Sequence, residues 1–519
     1  MVTSDPPDAR PATGVAATAP TRAGSLQLGT ATGRWVIAAA VLGSGVAFLD
    51  GSVVNAALPS IGRDLNTDLA GLQWVLNGYL LTLGSFLVIG GSLGDRFGRR
   101  KVFVIGLVSF GLASLLCGVS PTVVALIGAR CIQGMAAALL VPGSLAIISA
   151  SFRPEDRGAA IGAWSGLGGV ATAAGPFLGG WLIDAVSWRA VFFINLPLVA
   201  AAAALTLRHV PESSDPDAAH SIDIGGAATL ALGLAGLVYA LIEGPAKGWD
   251  VTVIAAGVLG VMLLVAFIVI ERRSRNPMVP FEIFRSRQFS GTNVVTFVVY
   301  GGLGVATFLV VVYLQERLGY SPLTAGAALL PITILMLVFS ARSGALAQKI
   351  GPRLQMTVGP MVAGVGIALF SVLAPGVSYW DGVLPATLVL AVGLVITVAP
   401  LTATVLAAVE DRHAGLASAV NNAVARIGGL LAIAVLPAAA GITVGGSGVN
   451  LDQGFDTAMY IAGALSVAGG AVAWFTIRRG ASVRTGTRAD VSIPCEPSCV
   501  QLPERAQEPA SIGAGSRDG

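Results

Sequence analysis

Two ionisable residues interrupt otherwise apolar runs, and the chemistry open to such residues is the reversible binding of a proton. Asp50 closes the stretch Gly43-Ser-Gly-Val-Ala-Phe-Leu-Asp50, and Arg130 lies in Leu126-Ile-Gly-Ala-Arg130-Cys. Taking Pro59 as the outer end of the first helix, Asp50 lies nine residues before it, or about 13 Å below at about 1.5 Å per residue. Arg130 lies nine residues beyond Pro121 on a helix running the other way, at a similar depth. Burial favours the neutral form of a carboxyl and a neighbouring guanidinium favours the ionised form, so a partner that moves makes the carboxyl take up and release a proton. The alternative is structural: Asp50 is interfacial, or is locked permanently to Arg130.

Further polar residues recur at helical spacing. Gln73 and Asn77 share a face with Gly84 and Gly91, and Asn422 and Arg426 share one with Gly415, Ser418 and Gly429. Such stripes need a cavity or neighbouring helices, so these four side chains are candidates for lining a substrate cavity; the plainer reading is that they bond only to adjacent helices. Arg426 lies about 18 Å from the inner entry of its helix, near the bilayer centre, as a second-half gate or a contact for an anionic substrate.

A third group is a charged turn, Gly91-Ser-Leu-Gly94-Asp95-Arg96-Phe-Gly98-Arg99-Arg100-Lys101, restated 253 residues later as Gly344-Ala-Leu-Ala-Gln-Lys-Ile-Gly351-Pro-Arg353. Gly94 is expected to end the second span, Asp95 offers a surface carboxylate, and the basic residues anchor the loop. Gln348 stands where Asp95 would map.

Apolar spans must position these residues. Of the 519 residues, 54% are hydrophobic and 11% charged, and the mean hydropathy is +0.79, far more apolar surface than one soluble core buries. Spans long enough to cross about 30 Å of hydrocarbon are predicted near 35–57, 72–93, 102–120, 122–146, 159–183, 190–207, 224–243, 251–271, 289–313, 323–345, 354–374, 383–406, 414–440 and 457–477. The net charge of +3 gives no reason to expect nucleic-acid binding. With the N-terminus inside, inner loops collect Arg96, Arg99, Arg100, Lys101, Arg153, Arg157 and most other cations, while acids such as Asp64 and Glu243 fall in outer loops. Both termini are therefore expected in the cytoplasm. Cys495 and Cys499 have no histidine near them, and His209, His220 and His413 lack ligand spacing, so no metal, cofactor or enzymatic site is expected.

The repeat sets the grouping. Arg157-Gly-Ala-Ala at the entry to the fifth span is echoed by Arg412-His-Ala-Gly at the thirteenth, at nearly the same offset as the turns. The expected organisation is a disordered cytoplasmic tail (1–33), a six-helix half (34–208), a linker with two extra helices that face lipid or act as spacers (209–288), a second six-helix half (289–477) and a second disordered tail (478–519).

The turn from Gly91 to Lys101 resembles the loop signature of the major facilitator superfamily. Leu49-Asp50-Gly-Ser-Val-Val-Asn55-Ala-Ala-Leu-Pro59 resembles the first-helix signature of its fourteen-helix drug:proton antiporters. Ala129-Arg130-Cys-Ile-Gln133-Gly134 resembles the fourth-helix signature, and Gly166 to Gly180, with Gly175-Pro176 inside it, the fifth-helix antiporter signature. The resemblance implies an all-α integral membrane protein of the major facilitator fold, two six-helix pseudo-repeats plus two inserted central helices. It implies Asp50 and Arg130 in proton coupling, and Asn55 and Gln133 beside the substrate cavity. It also implies a cytoplasmic latch of Asp95 against the start of the thirteenth span near Arg412, with Arg153 or Arg157 close by, and a fifth helix abutting the other half.

The resulting expectation is a monomeric plasma-membrane exporter of amphipathic drugs or antibiotics, powered by the proton motive force. A proton-coupled importer or a non-transporting membrane receptor or scaffold are the alternatives. The second half has no carboxylate placed at depth, which favours neutral or monovalent compounds over dications.

Overall fold

The structure is a computed structural model and describes residues 24, 26–215, 223–274, 277–409, 414–442 and 451–478. Among them, fourteen helices are long and apolar enough to cross a membrane. They are α1 (Ala31–Asp64), α2 (Leu69–Phe97), α3 (Arg99–Gly118), α4 (Val123–Ser151), α5 (Pro154–Ala185), α6 (Ala190–His209), α7 (Ile224–Lys247), α8 (Val251–Arg273), α9 (Arg287–Glu316), α10 (Pro322–Ile350), α11 (Pro352–Val372), α12 (Tyr379–Ala407), α13 (Ala414–Ala439) and α14 (Leu451–Thr476). Several begin where a short polar side chain accepts from a free backbone N–H of the first turn: Thr30, Asp68, Thr122, Asp250 and Ser286.

The structure departs from the sequence reading in three informative places. Pro59 lies inside α1, which runs on to Asp64. Asp50 is therefore about 21 Å from that end at about 1.5 Å per residue, deeper than expected. The second span is ended by Gly98 and not by Gly94, because the chain reverses at Gly98 with φ 105°. Gly351, 253 residues on, turns between α10 and α11 with φ 81°, so the repeat is one of backbone geometry. Residues 26–33, assigned to a disordered tail, are ordered: Leu26 is buried and its backbone pairs with Ser151 and Arg153. Residues 1–23, the segment 479–519 and Arg412 lie outside the described residues.

Gly98 supports a direct prediction. A Cβ there would meet the Glu212 carboxylate at 2.9 Å on a backbone that L side chains rarely adopt, whereas at Gly94 it would meet only Arg99 at 3.9 Å. Gly98→Ala should therefore destabilise the protein by about 1–3 kcal/mol and Gly94→Ala by much less, read as loss of melting temperature in detergent.

Three apolar clusters show how the two halves, α1–α6 and α9–α14, meet. At the end bearing Asp64 and Glu316 they share one core, in which Val53, Leu58 and Leu72 belong with Phe308, Leu309 and Leu436. At the end bearing Gly98 and Gly351 each half has its own core, around Phe103 and Phe152 in one and around Phe289 and Met356 in the other. The halves are closed together at one end and apart at the other. On the open side, Gly158, Gly162, Gly166, Gly169 and Gly415 face empty space.

The inserted pair is more than a spacer. α8 exposes Val258, Met262 and Val265, but α7 packs Leu234, Val238 and Ile242 across α2 and α13, over the seam between the halves. Glu243, expected in an outer loop, is buried in α7 and accepts from Trp74 Nε1 of α2 at 2.9 Å while pairing with Lys247 at 2.8 Å. Hydropathy ends a span at a charge, but a carboxylate with both an indole and an ammonium partner can lie against a helix.

Candidate functional site

Asp50 is fully buried on α1, and α4 and α6 reach it directly while α3 joins through Ser114. α4 presents Arg130 and Gln133 one turn apart, hence on one face. Arg130 Nη1 donates to Asp50 Oδ2 and, at 2.7 Å, to Gln133 Oε1. Gln133 Nε2 donates to Asp50 Oδ1 at 2.9 Å and to Ser114 Oγ of α3 at 2.7 Å. Asn195 Nδ2 of α6 donates to the same Asp50 Oδ1 at 2.9 Å and to Ser114 at 3.1 Å. α6 is broken between Phe193 and Asn195, and Pro197, which has no backbone donor, lies in the first turn where it resumes.

The guanidinium is held on other sides too. Arg130 Nε donates to the Val75 carbonyl at 3.2 Å, and the Tyr79 ring lies 4.2 Å from its carbon, with the Tyr79 hydroxyl donating to Ala47 O. Every contact to Asp50 comes from a donor, the arrangement suited to an ionised carboxylate. Removing one partner of such a buried pair typically costs about 3–5 kcal/mol. Asn195 Oδ1 is buried without a partner. Rotation of that amide would turn it into an acceptor for a proton on Asp50.

The other sequence-derived residues fall in three places. Gln133, expected at the cavity, lies inside the Asp50 network. Gln73 Nε2 of α2 donates to Ile433 O of α13 at 2.6 Å, joining the halves; Asn77 is buried on the same seam with both amide atoms unpaired. Asn55 and Asn422 are half-buried, the latter donating to Ser418 O in its own helix. Arg426 is half-buried against α2, where a Cβ on Gly84 would meet its Cβ at 3.5 Å.

In the charged turn, Asp95 pairs with Arg99 at 2.7 Å, Arg96 lies over the Phe97 ring, and a Cβ on Gly91 would meet Pro142 at ordinary contact distance. Arg153 is paired with Asp156 at 3.6 Å, and Arg157 is half-buried. Neither arginine bonds to Asp95 in this conformation. Glu212, which sequence reasoning missed, caps α3 by accepting from the backbone N–H groups of Arg100 and Lys101.

The fifth-helix glycines divide sharply. A Cβ on Gly175 or Gly179 would strike Ser52 or Val53 of α1, and one on Gly180 would strike the Pro322–Leu323 backbone of α10. Gly326 of α10 in turn lies against the Pro176 carbonyl. Gly166 and Gly169, expected to pack closely, face open space.

Asn195 and Ser114 were the other residues missed. Each is a single polar side chain in an apolar run, Phe192-Phe-Ile-Asn195-Leu and Gly111-Leu-Ala-Ser114-Leu, which was the only signal available.

Comparison with known proteins agrees with this architecture. The family model described as Major Facilitator Superfamily matches residues 40–433. The chain is 37% identical over 411 residues to a puromycin resistance protein of Streptomyces alboniger, covering 78% of this chain and 81% of that one. It is 35% identical to a methylenomycin A resistance protein of Bacillus subtilis, covering 79% and 89%. A crystal structure of a peptide transporter POT in complex with sulfate superposes with a TM-score of 0.64 at 14% identity, over 84% of this chain and 93% of that one. The matched segment takes in α2 to α12 whole and most of α1 and α13, including Asp50, Arg130 and the charged turn, and on that ground this chain belongs to the Major Facilitator Superfamily.

Proposed function

We propose that this protein is a proton-coupled exporter of small amphipathic compounds, drugs or antibiotics among them, working by alternating access. The observation that carries the reading is Asp50: a carboxylate deep in the first helix, held by Arg130, in a molecule whose halves are closed at one end and apart at the other. The resistance proteins it resembles favour export over import.

With the arginine-rich turns in the cytoplasm of a plasma-membrane protein, and both termini there too, the conformation is inward-open. Substrate enters between the halves, and the outer contacts between α5 and α10 separate as the inner ends close. A proton from outside then neutralises Asp50, loosening its hold on Arg130, and is released inward on return. In the inward-open state Asp95 rests on Arg99; closure frees it to engage the start of α13. A monomer contains every group in this cycle, and the proton motive force replaces any cofactor.

The direct test is a susceptibility and accumulation panel in cells with and without the protein. Expected is lower accumulation of some compounds, abolished by a protonophore. Higher accumulation would identify an importer, and no change with any compound would remove the transport reading.

A further inference from the structure

Asp50 is matched by Arg130, but Arg426 has no match. Its guanidinium makes no hydrogen bond or ion pair with any described residue, although it is half-buried in the seam between α2 and α13. Tyr79, whose ring lies against Arg130, precedes Gly84 on α2, and Tyr300 of α9 lies beside α13, where a Cβ on Gly429 would meet its carbonyl at 3.8 Å. The acids on the second-half helices, Glu316, Asp381, Asp452 and Asp456, lie within about two turns of a helix end. Between Asp50 and Arg130 the charges cancel, so among the described residues Arg426 leaves the seam with a surplus positive charge, with Tyr79 and Tyr300 on the neighbouring helices α2 and α9. An uncompensated cation in such a low-dielectric cleft attracts anions and repels cations. Asn77, its amide unpaired on the same face of α2 between the Gln73–Ile433 and Gly84–Arg426 contacts, adds a neutral polar group in want of a partner.

We propose that Arg426 is the subsite for a negatively charged group of the transported compound, and that the substrate class is amphipathic aromatic anions: carboxylates, phenolates or enolates. This rests on the exporter reading and sharpens it. It also has an electrical consequence. Exporting a monoanion against one entering proton moves two positive charges inward per cycle, whereas exporting a neutral compound moves one and a monovalent cation none. Membrane potential alone should therefore drive export of an anion and leave that of a monovalent cation unaffected.

The experiment uses purified full-length protein with fluorescein as the anionic probe and ethidium as the cationic one. Binding is followed by fluorescence polarisation, and flux in proteoliposomes under either a potassium–valinomycin potential or a pH gradient. Fluorescein should bind, and Arg426→Gln should weaken it about tenfold to a hundredfold, the range for losing a charge-assisted hydrogen bond, with Arg426→Lys retaining most of the affinity. Its flux should respond to potential alone. No fluorescein binding, or an affinity unchanged in Arg426→Gln, would overturn the proposal. If ethidium is nonetheless pumped in a proton-dependent way, the exporter reading stands without it. Arg426-dependent fluorescein binding without driven flux of either dye would keep the anion site and remove the exporter reading.

Discussion

Asp50→Asn is expected to abolish proton-driven accumulation while leaving the protein folded. Asparagine keeps an oxygen for the Gln133 and Asn195 donors that now reach Asp50 Oδ1. Arg130 keeps Gln133 Oε1, the Val75 carbonyl and the Tyr79 ring. What disappears is the group that can carry a proton. One proton supplies about 2.3 kcal/mol per 100 mV and about 1.4 kcal/mol per pH unit, together enough for a gradient on the order of 500-fold in a neutral compound. In inverted vesicles energised to that extent, the variant should bring the accumulation ratio down to that of passive equilibration. Counterflow of labelled substrate, which needs no proton, should persist. Full uphill transport by Asp50→Asn would show that coupling resides elsewhere. Asn195→Leu is the informative companion: it removes a donor to the ionised carboxylate and the acceptor that would receive the proton, so coupling should weaken while exchange continues.

The parts of this site that could be read from the sequence are those whose energetics are local. A charge inside a twenty-residue apolar run is conspicuous because its desolvation is large, so Asp50, Arg130 and Arg426 stand out. The spans themselves follow from hydrophobic length alone. Asn195 and Ser114 do not stand out, because one amide or hydroxyl in an apolar helix is common and finds its meaning only when the fold brings α3 and α6 to Asp50. Glu243 was misread for the same reason: its partner Trp74 is 169 residues away. The turn is intermediate. Its repetition was visible, but which glycine reverses the chain depends on φ, and that assigns the role to Gly98 and Gly351.

The seam between α5 and α10, which is the outer one in the proposed orientation, supports the second large effect. Gly180 and Gly326 are placed where no side chain fits: a Cβ on the first would lie 2.4 Å from Pro322 O, and one on the second 2.1 Å from Pro176 O. Both obstacles are backbone atoms within helices, which cannot swing aside as a long side chain would. Gly180→Leu and Gly326→Leu should therefore forbid the outer closure that the present conformation requires. Each half retains its own core, at Phe103 and Phe152 or at Phe289 and Met356, so the halves should still fold. The equilibrium should shift to the outward-open form. Holding one state at 99:1 against another takes about 5.5 kcal/mol relative to the reverse ratio, a range that collisions of this depth at two positions should reach. The Arg63–Glu316 pair, 3.2 Å apart and joining α1 to α9 at the same end, offers the readout. Cysteines substituted for Arg63 and Glu316, whose long side chains meet at their tips, should be bridged readily by a short thiol-reactive cross-linker with the native glycines, and about tenfold more slowly or not at all with the leucines. Transport should be lost in parallel. Cross-linking at the native rate with the leucines present would mean that the seam yields by another route and that Gly180 and Gly326 do not gate the outer side.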